Sequence, residues 1–441
     1  MLFRSVRVER RGILLQHPAP HNAVIDRARR KSHTHLVFIL LVAVALRLAW
    51  RIHKGGDDFW VNGYSFFYEM AKNIAAGHGF HLEGGGYAMR VPVYPAFLAF
   101  AALVAGKSYL WIVVPQALMG AGTVLCAYLL GRDLFGERPG LLAAFITAIY
   151  PYYVVHDTAL QETGMFTFLT TLSILLLLRA AQRNSERAWP LFGVAGVVLG
   201  LAVLTRQTLA PFALTALAWI GVWSTTGSSG QRARRLAVIA LPFAAMVGFW
   251  IGRNYLLLGA PVLTSELGRQ VWNANNAKTF SHYPEESIDR SAGEAFDALS
   301  PVEERELEAM STNEIAESDW FLRKGLAYIR AHRLETLERA GRKLAAGFSW
   351  RFNPVREPVV QAAYLASYGP VSILGAIGMF LTRRRWRELG PIYLLFLNFA
   401  AVTAVFWAHT SHRSYLDVYL IIFAAYTLQQ LHGAMRSSLQ T

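Results

Sequence analysis

Four acidic side chains stand next to apolar stretches, where a reaction at a membrane surface could use them. They are Asp57 and Asp58 in "GGDDFWVNGY", and Asp157 and Glu162 in "YYVVHDTALQETGMF". A carboxylate at a water–membrane boundary can accept a proton from an attacking hydroxyl, an effect of about 10²–10⁴ in rate. These acids could instead have a structural role, since acids also occur in solvated turns and at helix ends. The four acids are therefore candidates for a general base.

Four arginines are predicted to face the outer side of the membrane: Arg90, Arg206, Arg253 and Arg413. Arg206 interrupts an apolar hairpin, and Arg253 stands at the end of an apolar run. A planar guanidinium binds phosphate through two parallel hydrogen bonds. We therefore expect these arginines to bind the phosphate of a lipid, although each could also reach lipid headgroups as an isolated surface residue.

Aromatic and polar residues near these positions could form a sugar or acceptor pocket. Aromatic rings stack on sugars, and they also form belts at membrane interfaces, so both interpretations stand for Tyr64 and Tyr68. His156 and Asn275 complete the predicted pocket. His156, Asp157 and Glu162 lack the close spacing typical of metal-binding motifs, so a divalent metal is not favoured and no cofactor is predicted.

The composition indicates that membrane helices hold these residues in position. The chain has 441 residues, of which 54% are hydrophobic and 16% are charged, whereas ordinary globular proteins carry about 25% charge. Runs of about twenty apolar residues indicate transmembrane helices. The net charge of +14 comes mostly from basic residues at the ends of these runs, which is typical of topology signals and argues against nucleic-acid binding.

The fold class predicted is an all-α polytopic membrane protein with about ten spans. The basic segment before the first span places the N-terminus in the cytoplasm by the positive-inside rule. The short apolar stretch 91–106 opens with prolines, and counting it as a span would invert every later loop. It is therefore predicted to lie on the membrane surface. The expected spans are 36–52, 108–131, 139–155, 163–180, 190–205, 208–224, 236–257, 359–381, 390–408 and 414–431.

These spans divide the chain into four parts. Residues 1–35 form a basic cytoplasmic tail, and 36–257 form a transmembrane module that contains the first loop, 53–107. Residues 258–358 form a large loop with surface helices, and 359–441 contain the last spans and a short tail. Both loops are expected on the outer face of a bacterial inner membrane, with the site facing the periplasm.

Several segments, in this order and spacing, resemble the GT-C superfamily. The family comprises polyprenyl-phosphate-sugar glycosyltransferases such as dolichyl-phosphate-mannose–protein mannosyltransferases and the bacterial aminoarabinose transferase. The resemblance implies a GT-C-like fold and the transfer of a sugar, with inversion, on the outer face. It also implies that a carboxylate is the base and that Arg90 and Arg253 bind the donor phosphate. The segments are "GYSFFYEMAKNIAAGHGF", "RVPVYPAFLA", "AYLLGRDLFGERPGLLAAFITAIYP", "HDTALQETGMFTFL", "RNYLLLGAPVLTSELGRQVWNANN" and "HRSYLDVYLIIFAAY".

The chain departs from this family at the expected base. The family pattern in the first loop is Gly-Asp-x-x-x-Tyr, whereas this chain has Tyr64 at the aspartate position. With an ordinary pKa near 10, tyrosine is a poor base at neutral pH. Three explanations remain: Asp58 or Asp57 supplies the carboxylate, with Asp58 preferred; Asp157 or Glu162 supplies it; or the protein binds its lipid without the usual chemistry.

The expected partners are a polyprenyl-phosphate-linked sugar, a glycan, lipid or protein acceptor, and membrane lipids. Two other classes remain open. A transporter or flippase for a polyprenyl phosphate or phospholipid would explain the outer arginines and the substituted aspartate, but transporters usually carry charges near the bilayer centre and internal repeats. The other class is a non-catalytic subunit that binds the lipid-linked sugar for a partner enzyme.

Overall fold

The computed structural model of the protein describes residues 20–82, 85–106, 108–182, 189–222, 228–407 and 409–438. Residues 1–19 of the predicted cytoplasmic tail lie outside these ranges. Within them the chain is helical, and its only extended pairing is a single bridge between Leu82 and Gly85. The predicted all-helical fold class is therefore confirmed.

The first part of the chain forms nine helices in the described residues, most of them apolar. Within the described ranges, five helices are long and apolar enough to cross a membrane, beginning at Lys31, Leu110, Thr163, Ser229 and Pro358. The predicted total of about ten spans stays a prediction. The nine helices are α1 (Pro20–Val61), α2 (Ser65–Ala75), α3 (Val93–Ala105), α4 (Leu110–Phe135), α5 (Glu137–Ile149), α6 (Pro151–His156), α7 (Thr163–Gln182), α8 (Trp189–Val203) and α9 (Ala210–Val222).

The second part alternates between long apolar helices and a group of shorter ones. The short helices α11 to α15 fill the segment predicted as the large loop, which we keep calling the large loop (258–358). The helices are α10 (Ser229–Leu258), α11 (Leu267–Asn273), α12 (Ile288–Asp297), α13 (Pro301–Met310), α14 (Glu314–Ala331), α15 (Arg333–Gly347), α16 (Pro358–Leu381), α17 (Gly390–Val405), α18 (Thr410–Arg413) and α19 (Asp417–Ser438).

The apolar helices pack into one bundle with a continuous core. Neighbouring pairs include α4 with α5, α8 with α10, and α16 with α19. The last helix contributes the most completely buried stretch, because Val418, Tyr419 and Ile421 have no exposed surface. Small residues allow close approach there: a Cβ on Gly378 would lie 2.4 Å from the carbonyl oxygen of Phe423. Lipid tails are as apolar as these side chains, so close van der Waals packing and hydrogen bonds between helices hold such a bundle together in a membrane.

Two predicted elements differ from the structure in their boundaries. The first helix does not end near residue 52; it continues to Val61 after a kink at Gly55, whose φ of 79° suits glycine. Asp57 and Asp58 therefore lie on the short helical segment after the kink, not in a turn. The predicted span 139–155 is divided at Tyr150, because Pro151 begins the separate helix α6.

The junctions that carry the polar candidates meet at one end of the bundle. The Tyr64 amide donates to the Leu160 carbonyl at 3.0 Å, and the Val93 amide to the Leu204 carbonyl at 3.0 Å. The large loop joins the same end, where the Ser265 amide donates to the Ala88 carbonyl. We call this end the loop end. At the opposite end the basic segments meet, as shown by the ion pair of Arg179 with Asp133 at 2.8 Å.

The large loop has a small core of its own. Trp272, Trp320 and Phe321 pack together with Ala295, and α11 lies against α14. The approach of these two helices requires a glycine, since a Cβ on Gly268 would lie 1.7 Å from the Ser318 carbonyl oxygen. Helices α11 to α14 are therefore held in fixed positions over the loop end.

Candidate functional site

Tyr64 lies at the centre of the charged groups of the loop end. Its side chain is 49% exposed, and four charges from distant segments act on its hydroxyl. Partial burial, and after it the carboxylate of Glu162, raise the pKa of Tyr64. The hydroxyl is thus neutral at physiological pH; it can donate a hydrogen bond but cannot serve as the base. The four charged residues are Glu162, Arg206, Asp289 and Arg90.

Glu162 and Arg206 form an ion pair beside Tyr64. Glu162 immediately precedes α7, and Arg206 follows α8, so two adjacent junctions bring them together. Nη2 of Arg206 lies 2.6 Å from Oε1 of Glu162, and Nε lies 3.1 Å from the same oxygen. The guanidinium also covers the ring of Phe166 at 4.8 Å.

One side of the Arg206 guanidinium is unused. Arg206 is 9% exposed, and its Nη1 atom is buried without a hydrogen-bond partner among the described residues. A buried donor left unpaired costs about 1–3 kcal/mol. The geometry therefore offers a charged donor that a phosphate oxygen could satisfy, because charge-assisted bonds to oxyanions are among the strongest.

Arg90 supplies a second positive charge to the same region. It precedes α3, stacks over the Phe66 ring at 4.8 Å, and lies 3.5 Å from Oε2 of Glu266. Its side chain is 27% exposed, so the guanidinium is partly open to a ligand. Two of the four predicted phosphate-binding arginines, Arg206 and Arg90, are therefore brought together around Tyr64.

An aromatic cleft of about 250 Å³ opens beside this charged group. Tyr68 lies in its wall, and the Tyr68 and Trp60 rings are 4.5 Å apart between centroids. Both rings are half-buried, and a cleft with aromatic walls and polar neighbours suits a sugar or an acceptor. The lining residues are Trp60, Ser65, Tyr68, Glu69, Lys72 and Leu160.

His156 lies at the end of α6, in ring contact with Tyr152 at 4.2 Å. Its Nδ1 atom pairs with the Gln161 amide at 3.0 Å. Desolvation lowers the pKa of His156 to about 4, so the imidazole is neutral at physiological pH. It is packed against protein groups and lies outside the lining of the aromatic cleft.

Arg253 and Arg413 are placed in structural networks. Arg253 donates to the carbonyls of Phe80 and Tyr87, and so connects both residues to α10. Arg413 is fully buried, pairs with Asp417 at 3.0 Å and covers the Tyr368 ring at 3.6 Å. No contact of Arg253 or Arg413 among the described residues supports phosphate binding, so this role stays a prediction.

Asn275 is likewise buried in a structural junction. Its amide donates to the Val271 carbonyl at 2.8 Å and to the Val405 carbonyl at 2.9 Å. Its oxygen accepts from the ammonium of Lys343 at 3.0 Å. The residue therefore connects the large loop to the end of α17, rather than lining the aromatic cleft.

Three of the four candidate bases are held by arginine. Asp58 accepts from Arg51 at 2.7 Å, and Glu162 from Arg206. Asp157 is 3% exposed and accepts from Arg47 at 2.8 Å. A carboxylate whose oxygen already accepts from an arginine has one lone pair fewer for the proton of an acceptor. Asp57 is exposed and is not among the charges that act on Tyr64.

Several charged residues of the loop end were not predicted from the sequence. Arg47 and Arg51 stand within the first apolar run, where a charge is costly and would have signalled a buried partner. Asp417 follows Arg413 by four residues, the spacing of a helical ion pair. Asp289 carried no such signal. In the described ranges, no three His, Cys, Asp or Glu side chains are grouped to hold a metal ion.

Comparisons with known proteins agree with this architecture. Residues 89–250 match the family model described as Dolichyl-phosphate-mannose-protein mannosyltransferase. A curated relative, "Putative mannosyltransferase YkcB" of Bacillus subtilis (strain 168), is 27% identical over 194 residues, which are 42% of this chain and 26% of the relative. The chain thus spans about a quarter of the length of that relative.

The fold is also that of a solved archaeal enzyme. The oligosaccharyltransferase AglB of Archaeoglobus fulgidus, in complex with an inhibitory peptide and a dolichol-phosphate, superimposes with a TM-score of 0.56 at 17% identity. The match covers 93% of this chain and 52% of AglB. A second structure of the A. fulgidus oligosaccharyltransferase, tethered with an acceptor peptide, gives a TM-score of 0.53 at 14% identity, covering 91% of this chain and 50% of that chain.

The apolar helices indicate an integral membrane protein, and its fold is GT-C-like, similar to that of AglB. The match over residues 89–250 confirms the resemblance to the polyprenyl-phosphate-sugar glycosyltransferases of the protein mannosyltransferase type.

Proposed function

We propose that this protein is a membrane glycosyltransferase that moves a sugar from a polyprenyl-phosphate donor to an acceptor at the loop end. The observation that carries the proposal is the buried, unpartnered Nη1 of Arg206 beside Tyr64, in a fold shared with an oligosaccharyltransferase. The relatives support the donor class: the family model names a dolichyl-phosphate-mannose enzyme, and AglB binds a dolichol-phosphate. We expect inversion at the sugar carbon.

The donor phosphate would lie against Arg206 and Arg90. When the bond between the sugar and the phosphate breaks, negative charge accumulates on the departing phosphate oxygen. Donors already in place lower the barrier because they need no reorganisation at that moment. The Tyr64 hydroxyl, which is protonated, can add a hydrogen bond to the same phosphate or to the sugar, and the aromatic cleft at Tyr68 can hold a ring.

Native mass spectrometry of the gently purified protein, with fragmentation of bound lipid, tests the donor class. A polyprenyl phosphate with or without a sugar supports the proposal, and Arg206→Ala should lose this lipid. Arg384→Ala is the matched control, because Arg384 is an exposed arginine of the opposite end. If wild type, Arg206→Ala and Arg384→Ala carry the same bulk phospholipid, the transporter becomes the better hypothesis.

A second candidate is a non-catalytic subunit that binds a lipid-linked sugar. The observation in its favour is Tyr64 at the position of the family's aspartate. Purified protein would be incubated with undecaprenyl-phosphate-[¹⁴C]mannose and a membrane extract, and the release of undecaprenyl phosphate measured. Saturable release supports the enzyme; binding of undecaprenyl phosphate without release supports the subunit.

The membrane orientation is also part of the proposal: we place the loop end in the periplasm of a bacterial inner membrane. Cys126, the single cysteine, is buried, so a cysteine introduced at the exposed position Glu304 would be a clean reporter. A membrane-impermeant maleimide should label Glu304→Cys in intact spheroplasts, whereas Arg384→Cys should need detergent. The reverse pattern would refute the orientation.

A further inference from the structure

Glu314 of the large loop holds the segment that carries Arg90. It is the first residue of α14, and its Oε1 atom accepts from the Tyr87 amide. Its Oε2 atom accepts from the Ala88 amide at 3.1 Å and from the Ser265 hydroxyl at 2.7 Å. Hydrogen bonds to a carboxylate are shorter and stronger than those between neutral groups. One side chain therefore connects two adjacent amides of the first loop to the large loop.

The carbonyl groups of the same two residues are held as well. Nη1 of Arg253 donates to the Tyr87 carbonyl, and the Ser265 amide donates to the Ala88 carbonyl at 2.9 Å. All four backbone polar groups of residues 87 and 88 are thus paired with α10 or the large loop. Ala88 has no exposed surface, so water does not replace a bond lost there, and an unpaired buried amide is costly. We call Tyr87, Ala88, Arg253, Ser265 and Glu314 the clasp.

Arg90 lies between the clasp and a second fixed point. It follows Ala88 by two residues, and three residues further on the Val93 amide donates to the Leu204 carbonyl at 3.0 Å. Leu204 in turn precedes Arg206 by two residues. One end of this short segment is therefore fixed to the chain that carries Arg206, and the clasp fixes the other end. The placement of Arg90 relative to Arg206 depends on both.

The large loop can hold this position because the two helices that contribute to it are packed together. Glu266 precedes α11 and Glu314 begins α14. Where these helices meet, the Gly268 amide donates to Oγ of Ser318 at 3.1 Å. Glu266 is buried, and its Oε2 atom lies 3.5 Å from Nη1 of Arg90. The pair of helices thus holds the Arg90 guanidinium with one acid and the backbone before it with the other.

We infer that Glu314 is a positioning residue for the donor phosphate, because it holds Arg90 in place through the backbone of residues 87 and 88. This role rests on the proposed function, in which Arg90 and Arg206 bind that phosphate. Both oxygens of Glu314 are engaged within the clasp, so the carboxylate acts through the chain and not on the substrate. The large loop would then complete a donor site whose phosphate ligands lie elsewhere in the sequence.

The two acceptor oxygens of Glu314 are what the clasp requires. In Glu314→Gln one of them becomes an NH₂ group, which can donate but cannot accept. That group would face a backbone N–H, so the amide of Tyr87 or Ala88 would lose its partner. Glu314→Asp keeps both acceptor oxygens on a shorter side chain and should preserve part of the clasp. A displacement of about 1 Å in a binding group can cost about 10²-fold in rate, so a small shift of Arg90 is measurable.

A double-mutant cycle with Arg90 tests this role. The dissociation constant for undecaprenyl phosphate would be measured by native mass spectrometric titration for wild type, Glu314→Gln, Arg90→Ala and the double variant. Glu314→Gln should raise it by about 3–30-fold, less than the loss of a whole charge-assisted hydrogen bond. With Arg90→Ala already present, the same change should have an effect of less than about twofold, because the side chain that Glu314 positions is absent. Equal effects in both backgrounds would overturn the inference.

Further variants separate the clasp from a general effect on the large loop. Glu304→Gln removes an exposed acid of the same loop and should leave the dissociation constant within about twofold of wild type, whereas Glu314→Asp should fall between wild type and Glu314→Gln. If Glu314→Gln makes the large loop sensitive to protease, Ser265→Ala decides, because it removes one bond to Glu314 and leaves α11 packed on α14. An unchanged dissociation constant in Ser265→Ala would then refute the positioning role.

The outcomes also distinguish this role from the proposed function. If Arg90→Ala weakens the binding of undecaprenyl phosphate and Glu314→Gln does not, Glu314 is not a positioning residue, while the donor site stands. If wild type does not bind undecaprenyl phosphate, the proposed donor class is refuted, and the role of Glu314 falls with it.

Discussion

Arg47→Met should destabilise the protein strongly, because it leaves a carboxylate buried without its cation. Arg47 has no exposed surface and donates to Asp157 at 2.8 Å. Removing one partner of such a pair costs about 3–5 kcal/mol. The site has no room to relax: a Cβ on Gly120 would lie 2.4 Å from Arg47 Nε and 2.6 Å from Asp157 Oδ2. The same guanidinium also donates to the carbonyls of Ala43 and Ala148, at 3.1 Å each.

The double variant separates the charge from the packing. Replacing both partners of a buried pair by apolar residues is often nearly neutral. Arg47→Met combined with Asp157→Leu should therefore be at least about 2 kcal/mol more stable than Arg47→Met alone. The free energy of unfolding would be measured by SDS titration in mixed micelles. If the double variant is as unstable as the sum of the two single variants, the pair is not coupled.

The pH dependence provides a second check. Burial raises the pKa of Asp157, and Arg47 limits the rise. In Arg47→Met the pKa rises further, so the folded protein holds the proton more tightly than the unfolded chain does. Its unfolding free energy then falls as the pH increases. The penalty should be larger at pH 8 than at pH 5, and an equal penalty at both values would contradict the assignment. Transfer activity retained in the double variant would identify Asp157 as structural rather than catalytic.

Three further results are expected. Arg206→Ala should weaken undecaprenyl phosphate binding by about 10–150-fold in a native mass spectrometric titration, the value of one charge-assisted hydrogen bond; an unchanged dissociation constant would exclude Arg206 from the phosphate site. Desolvation lowers the pKa of Lys343 to about 8 in the folded protein. Between pH 8 and 10.5 the unfolded chain therefore binds more protons than the folded protein, and the free energy of unfolding should rise with pH. Thermal unfolding measured across this interval should show no such rise in Lys343→Met. Gly268→Ala should make the large loop sensitive to protease, because its Cβ would overlap the Ser318 carbonyl, whereas Gly341→Ala, with nothing within 4 Å, should not.

The sequence was sufficient for the fold class and for part of the site. Runs of apolar residues predict membrane helices because the bilayer sets their length, and Arg206 could be selected because it interrupts such a run. Its partner Glu162 was named as well, but for a different role. What could not be predicted was pairing across the chain: Asp157 and Arg47 are 110 residues apart, and their contact depends on how α6 packs against α1.

The boundary at Asp57 and Asp58 was missed for a local reason. Two glycines before two acids suggest a turn, and Gly55 does adopt a left-handed φ. The chain resumes a helix after it, however, and the helical register lets Asp58 reach back seven residues to Arg51.

The division of the loop end between two stretches of chain has a consequence for how such a protein can diversify. The family match over residues 89–250 includes Arg90, Glu162 and Arg206 but neither Tyr64 nor the large loop (258–358). Under the proposed function, the part that handles the donor is inherited as one recognisable block, whereas the part that meets the acceptor lies outside it. Exchanging the large loop between relatives, with Ser265 and Glu314 kept, would then be a route to new acceptors with the same lipid donor, and chimeras made at residues 258 and 358 would follow that route in the laboratory.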